Sequence, residues 1–486
     1  MKYGWLIGVI LGAVAARLWL LFSTPWAPGI NGGYYFVQAR ALLERGELAF
    51  PDLPLVFYLE AAGVRLWQTL SGHGLCESVL VAVKICDGLL PALAAAPIFL
   101  LLERWRLVAV GPRWISAVGT AVVVLGFPTL SVVGDLQKHS LALALLAAAL
   151  WRLDAWLDSP STGRLVGVGL CLALIALTHI GVFGAALFWV AAIIFTALCV
   201  RKRFSWPTGH IWVVAAILAL LGMMVVLVGW RFDPQRIFRL WAAVSHPVNF
   251  AQNESSRLAS SGPSLPLKSC LPWFLVTLMA LSLMRIIWRG HRPLPIGIGC
   301  IITGSAISAV ALTAPVFSQD MAIRLALIAV LPGVLVVYFA IQYVNTRGLR
   351  TVLAVGVALV FLLPSVPFLI HGGEAMLSPD AMRELQSLAA VVRSPANTLI
   401  VAPHGLEWWT AWTLRTKIAQ PGAVNPSAWR NYTDVFFIEQ KGWFFRRQPP
   451  PSRVRTARAM LPGAEIVHDG EYFRLIRASP QPEGER

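Results

Sequence analysis

Apolar stretches of about twenty residues recur through the first three quarters of the chain, divided by short polar segments. Each is long enough to cross ~30 Å of hydrocarbon as a helix. The pattern predicts about eleven spans: residues 3–23, 77–103, 111–132, 137–157, 163–179, 181–200, 211–230, 269–288, 295–314, 321–343 and 350–371. Basic clusters follow alternate spans: Arg104, Arg106 and Arg113; Arg152 and Arg164; Arg201, Lys202 and Arg203; Arg285, Arg289 and Arg292; Arg347 and Arg350. All fall on the side of Lys2, which the positive-inside pattern makes cytoplasmic. An odd number of spans then puts the C-terminus outside. The first span is long and lacks a clear small-residue cleavage site, so it reads as retained rather than as a signal peptide.

The outer side receives residues 24–76, the turn Gly134–His139, the turn at His179, residues 231–268, the turn near Asp320 and everything after 372. Residues 33–45 place Tyr34, Val37, Ala41 and Leu42 near one face, and 53–70 are apolar apart from Glu60 and Arg65. Both suit helices lying in the interface plane. The tail 373–486 is more polar and broken by Pro and Gly. It reads as a helix over 379–393, a strand at NTLIVAP and a helical piece at GLEWWTAWTL. A strand at DVFFIEQ, a helix at RVRTARAML and a hairpin of AEIVHD and EYFRLIRA across Gly470 follow. The fold class is therefore an all-α polytopic membrane unit, 1–372, followed by a small α/β domain, 373–486.

Composition agrees. Of 486 residues, 57% are hydrophobic and 13% charged, against about 25% charged in a soluble chain. Mean hydropathy is +0.68. The net charge of +16 sits largely in the short loops between spans, which explains it without a nucleic-acid partner. The six Cys have no CxxC or other metal-binding spacing.

Ionisable groups at membrane depth are costly and mark function. They gather at one face here. Asp135, Lys138 and His139 lie in VVGDLQKHSLALAL, His179 in ALTHIGVF, Asp320 and Arg324 in FSQDMAIRLAL, and Arg17 in the outer half of the first span. Asp135 and His139 are spaced i, i+4, which on a helix would put both on one side. An Asp–His pair of this kind can hold a divalent metal (Mg, Mn or Zn), the one cofactor the chemistry admits. Each residue also has a plain reading: Asp135 as a helix cap, His179 as a turn residue, Asp320 with Arg324 as an ion pair.

With those residues in view, the chain resembles the GT-C superfamily of membrane glycosyltransferases, which take sugar from polyprenyl-phosphate or polyprenyl-diphosphate donors. The first outer loop reads GGYYFVQARALLERGEL and then FPDLPLVFYL; the turn GDLQKHSLAL and the run RLALIAVLP are also similar to segments of that superfamily. The resemblance implies a bacterial inner-membrane enzyme with its N-terminus cytoplasmic and its C-terminal domain periplasmic. It would move a sugar from a polyprenyl-phosphate donor to a lipid, glycan or protein acceptor at the outer face. It implies Arg17, Asn31, Tyr34, Tyr35, Lys138 and Arg324 as substrate and phosphate contacts, with His179 and Asp320 in support. The family's base comes from the first outer loop, near the paired tyrosines. Asn31 stands there instead, and an amide is no base at neutral pH. Asp52 is then the first candidate and Asp135 the second.

Three rival readings stay open. A glycan polymerase or ligase using lipid-diphosphate sugar would draw on Arg231, Arg236, Arg239, His246 and Arg257. A degenerate relative would bind lipid-linked sugar without transfer. A lipid transporter would show inverted repeats and broken spans, which the sequence lacks.

Overall fold

The computed structural model describes residues 3–109, 111–199, 222–223, 227, 230, 276–282, 285, 295–314, 319–344, 346–420, 431–441 and 465–478. Helices occupy every expected span other than 211–230 and 269–288, of which only a few residues, all helical, are described. Those two fall mainly outside the described residues, as do segment 231–268 and the expected helix RVRTARAML. In order they are α1 (Gly4–Phe22), α4 (Leu75–Leu89) running through a 3-10 turn into α5 (Ala95–Ala109), α6 (Arg113–Leu125), the short α7 (Phe127–Leu130), α8 (Gln137–Asp158), α9 (Thr162–Thr178), α10 (Ile180–Cys199), α11 (Ile296–Leu312), α12 (Gln319–Gln342), α13 (Arg347–Leu362) and α14 (Ser365–His371). By length and composition 6 of the described helices can cross a membrane, or 7 if the bent pair α13–α14 counts as one. α9 and α11 are apolar but shorter. The chain is a multi-pass membrane protein.

Interdigitated Leu, Ile, Val and Ala side chains form the bundle core, with Trp105, Trp156 and Trp189 fully buried within it. α8 packs on α5 and α9, and α10 packs on α11. At the end of the bundle formed by the loops α5–α6 and α8–α9, charge is neutralised locally: Glu103 pairs with Arg106 at 2.8 Å and Arg113 at 2.9 Å, and Arg104 with Asp158 at 3.1 Å.

The other end carries α2 (Gly32–Arg45) and α3 (Leu55–Ser71), the two expected interfacial helices, each closed by a left-handed glycine, Gly46 and Gly72. Above them stands the tail. It has α15 (Pro379–Ser387), β1 (Thr398–Val401), α16 (Leu406–Leu414), β2 (Lys417–Ala419), β3 (Asp434–Gln440), β4 (Glu465–Asp469) and β5 (Phe473–Ala478). The sheet order is β2-β1-β3-β5-β4, with β1 parallel to β2 and β3, and β5 antiparallel to β3 and β4. The hairpin across Gly470 is present; β2 was not expected, and the helix over 379–393 is shorter.

This domain does not hang from a linker. One apolar cluster contains Phe36 and Val37 of α2, Val56 and Phe57 of α3, and Leu385, Leu406, Trp409 and Trp412 of the tail. The buried Arg40 of α2 donates to the carbonyls of Trp412 and Ala411 at 2.7 and 3.1 Å. The C-terminal domain is thus seated directly on the first loop.

Candidate active site

The site is built where the stretch GINGGYY meets the turn before α8 and the start of α16. Gly29 has φ +87°, a conformation glycine takes freely. A Cβ there would come within 2.6 Å of the Asp135 Cβ, so the glycine also lets the two turns touch. A Cβ on Gly33 would sit 3.0–3.1 Å from Trp409 and Trp408, which is how α16 reaches the same turn.

Asn31 has a clear role. Its backbone N–H and its side-chain Nδ2 both donate to Oδ1 of Asp135, at 2.6 and 3.1 Å. Its own Oδ1 accepts the indole N–H of Trp408 at 3.3 Å. The amide therefore stands between the C-terminal domain and an acid 104 residues away in sequence. Asp135 is half-buried, and its second oxygen accepts no hydrogen bond among the described residues. It does not cap α8, whose N-cap is Leu136 with no side-chain bond.

Asp52 is different. It is 1% exposed. Its Oδ1 accepts the Leu53 N–H at 2.7 Å, and its Oδ2 accepts both the Tyr34 hydroxyl and the Lys138 ammonium. Gln38 stitches the segment in place, donating to Tyr34 Oη at 3.0 Å and to the Phe50 carbonyl at 2.9 Å. Asp52 does not cap α3, which begins at Leu55 behind Pro54. Lys138 also lies over the rings of Tyr34 and Phe57, 5.3 and 5.7 Å from their centroids. Burial and the neighbouring Asp52 push the Tyr34 phenol well above its usual range, so it stays a donor. The Tyr35 hydroxyl accepts from the Lys138 backbone at 3.4 Å.

Other expected site residues fall elsewhere. Arg17 is 1% exposed and points into the bundle, where it bonds the carbonyl and Oδ1 of Asp87 at 2.9 and 2.8 Å. It is held by Asp87 rather than offered to a phosphate. His139 is buried with its ring edge-on to His179, centroids 5.4 Å apart, and neither ring nitrogen has a hydrogen-bond partner among the described residues. His179 accepts the Val182 N–H at 3.2 Å. Because α8 begins at Gln137, Asp135 precedes the helix and does not share a helical face with His139. Among the described residues no three His, Cys, Asp or Glu come together as metal ligands. Arg324 is exposed on α12; the Asp320 side chain lies outside the described residues.

Three acids were missed or underweighted. Asp87 accepts from Arg17 and from the Gly134 N–H at 2.8 Å, and so braces the turn that carries Asp135. Its signal was legible: an Asp within the second span. Glu60 is 2% exposed, with one oxygen unpartnered among the described residues, beside Gln137 and Asp87 around a small cavity. Burial, aided by Asp87, pushes its carboxyl well up. In the C-terminal domain Glu407 is 1% exposed and lies 2.9 Å from Nδ1 of His404.

Beside the start of α8 an apolar pocket lies within the bundle. It is lined by Ile98, Val124, Leu143, Leu331 and their neighbours, with His139, which follows Lys138 in the chain, on its wall.

No known family model matches the chain, and no curated protein matches it. Solved structures do. A mycobacterial arabinofuranosyltransferase, AftD, superposes with a TM-score of 0.55 at 12% identity over 99% of this chain, which spans 40% of the length of AftD. ArnT from Cupriavidus metallidurans, solved bound to undecaprenyl phosphate, gives a TM-score of 0.49 at 14% identity over 99% of this chain and all of ArnT. From the first of these likenesses, the chain has the GT-C fold.

Proposed function

We propose that the protein is a glycosyltransferase that moves a sugar from a polyprenyl-phosphate donor to an acceptor hydroxyl, at the membrane face that carries the C-terminal domain. The observation that carries this reading is a fixed cation and a half-open acid three residues apart, just before an apolar pocket that the next residue, His139, lines: Lys138 held by Asp52 and Tyr34, Asp135 held by Asn31 on one oxygen alone.

Each part has a task. The apolar cavity takes the first isoprene units of the donor. Lys138 binds the phosphate, and Arg324 stands on α12 as a second cation. Asp135 accepts the acceptor hydroxyl's proton on its open oxygen as the hydroxyl oxygen attacks the anomeric carbon. The bond from that carbon to the phosphate oxygen breaks, and polyprenyl phosphate leaves with the electron pair. Asp52, though first in line from the sequence, has both oxygens engaged and serves to place Lys138. Asn31 stands where an acid would repel Asp135 and instead orients it. The setting we propose is the periplasmic face of a bacterial inner membrane.

The test is donor turnover in lipid nanodiscs against a panel of polyprenyl-phosphate sugars, with released polyprenyl phosphate quantified. Release that Asp135→Asn abolishes supports the reading. No consumption of any donor by the folded wild-type protein, with membrane extract as acceptor, sinks it.

A further inference from the structure

The C-terminal sheet has a mouth of its own. In sheets with parallel strands, ligands bind outside the carboxyl ends, at the point where the chain leaves neighbouring strands towards opposite sides. β1 is followed by α16 and then by β2 on one side of it. β3 lies on the other side of β1 and is followed in the chain by β4 and β5, farther out on that side. The order reverses between β1 and β3, and the parallel strands β1, β2 and β3 share one carboxyl edge beside that point. His404 stands on the loop leaving β1, and Gln420 just beyond the carboxyl end of β2.

These two residues and Glu407 form a built cluster. Oε1 of Glu407 lies 2.9 Å from Nδ1 of His404 and accepts from Nε2 of Gln420 at 2.8 Å. Gln420 Nε2 also lies 3.3 Å from the same His404 nitrogen. A carboxylate accepts, so Nδ1 carries the proton and Nε2 is the nitrogen left for a ligand. The Glu407 side chain is 1% exposed and that of His404 60%. The other Glu407 oxygen has no hydrogen-bond partner among the described residues. A buried acid steering an exposed imidazole is an arrangement that the packing of the domain alone does not require.

The cluster faces the membrane site. Gly405, next to His404, has φ +93°, and a Cβ there would meet Ile30 at 2.6 Å and Met376 at 2.8 Å. The His404 loop thus rests on the turn that holds Asn31. Trp408, one helical turn on, donates to Asn31 itself. Asp135 and Arg324 both act electrostatically on His404.

We propose that His404, steered by Glu407 and Gln420, is the acceptor subsite, and that it recognises a polyhydroxylated acceptor through its outward nitrogen. The inference rests on the transferase reading and adds to it the class of acceptor and the part of the chain that selects it. A sugar hydroxyl both donates and accepts, so it meets His404 in either protonation state.

The experiment uses the full chain in nanodiscs, with the donor that the turnover assay identifies and a panel of octyl glycosides as acceptors. Acceptor and donor KM are measured separately for wild type, His404→Ala, His404→Gln and Glu407→Gln. In His404→Ala the acceptor KM rises about tenfold, the worth of one hydrogen bond, while the donor KM moves less than twofold. His404→Gln, which keeps a hydrogen-bonding nitrogen, recovers part of the loss, and Glu407→Gln falls between. A His404→Ala protein with wild-type acceptor KM overturns the subsite, and transfer to none of the glycosides overturns the polyhydroxylated class. A wild type that consumes no donor removes the transferase reading, and this inference with it. If His404→Ala fails to fold, the His404→Gln and Glu407→Gln values decide.

Discussion

Asp52 and Asp135 stand at the same end of the bundle, both within reach of α2, yet their surroundings are opposite in kind. Asp52 lies in a closed pocket where backbone, phenol and ammonium donors use both of its oxygens. Asp135 lies on an open turn, tied by one oxygen to Asn31. A carboxylate saturated by fixed donors orders its neighbours. One with an oxygen to spare can take a proton from a ligand. In the proposed reaction the difference suits the first acid to positioning and the second to proton transfer.

The largest expected effect breaks that assignment if it is wrong. Asp135→Asn keeps an acceptor oxygen for Asn31 but removes the base, so polyprenyl-phosphate release falls by about 10²–10⁴-fold with little change in donor KM. If Asp52→Asn shows that pattern instead and Asp135→Asn stays within tenfold of wild type, the roles are exchanged.

The second prediction concerns what Asp52 holds. Asp52→Asn leaves the Lys138 ammonium, 12% exposed, without its counter-charge. Removing one partner of a buried pair costs about 3–5 kcal/mol. The expected outcome is a lower unfolding midpoint together with a higher donor KM. The double variant Asp52→Asn/Lys138→Met regains part of the stability but not the donor affinity, and a cycle of the four proteins separates the two effects. If the double variant is no more stable than the single one, the pair is not what holds the pocket.

The order Asp52, then Asp135, read from the sequence could not draw on what separates the two acids, for a physical reason. Asp135 reads locally as a helix cap and Asp52 as an acid of the first outer loop, and each makes its decisive contacts across the chain: Asp52 with Lys138, 86 residues on, and Asp135 with Asn31, 104 residues back. Spacing rules describe neighbours on one element and are silent about such pairs. They also misled at Asp135 and His139, since α8 starts at Gln137, where its span was expected, and leaves Asp135 off its face. The apolar spans were legible because about twenty consecutive apolar residues have few other uses. The interfacial helices were legible from their amphipathic spacing. Strand β2 was not, because it has three residues and owes its existence to pairing with β1. Arg17 was legible as important but not as internal, since its partner Asp87 lies 70 residues away.

A smaller effect sharpens the comparison by acting on one acid alone. Trp408→Phe keeps the aromatic ring that packs 4.7 Å from Tyr34 but deletes the N–H given to Asn31. The Asn31 amide then loses the bond that fixes its orientation towards Asp135. One neutral hydrogen bond is worth about 0.5–1.5 kcal/mol, so release falls roughly three- to tenfold, with the Asp52 side and the donor KM little altered. An equal rise in donor KM would mean that Trp408 supports the Tyr34–Asp52 pocket rather than Asp135.

The smallest effect comes from a third acid, Glu407, which resembles Asp52 in being buried and in holding a basic side chain. Its hydrogen bond to His404 raises the imidazole above its usual value, with Asp135 adding to the rise and burial and Arg324 opposing it. A group that binds its proton more tightly when folded stabilises the fold below its unfolded value, about 6.5, and loses that contribution as pH climbs through the raised folded value. Unfolding midpoints of wild type and His404→Ala, compared from pH 5.5 to 8.5, should therefore differ most at the acid end and converge at the alkaline end. Because the imidazole is largely exposed, solvent screening keeps the gap small. A gap that widens with pH would show that Glu407 does not hold the proton on His404. The steering of that imidazole, and with it the likeness between Glu407 and Asp52, would then be lost.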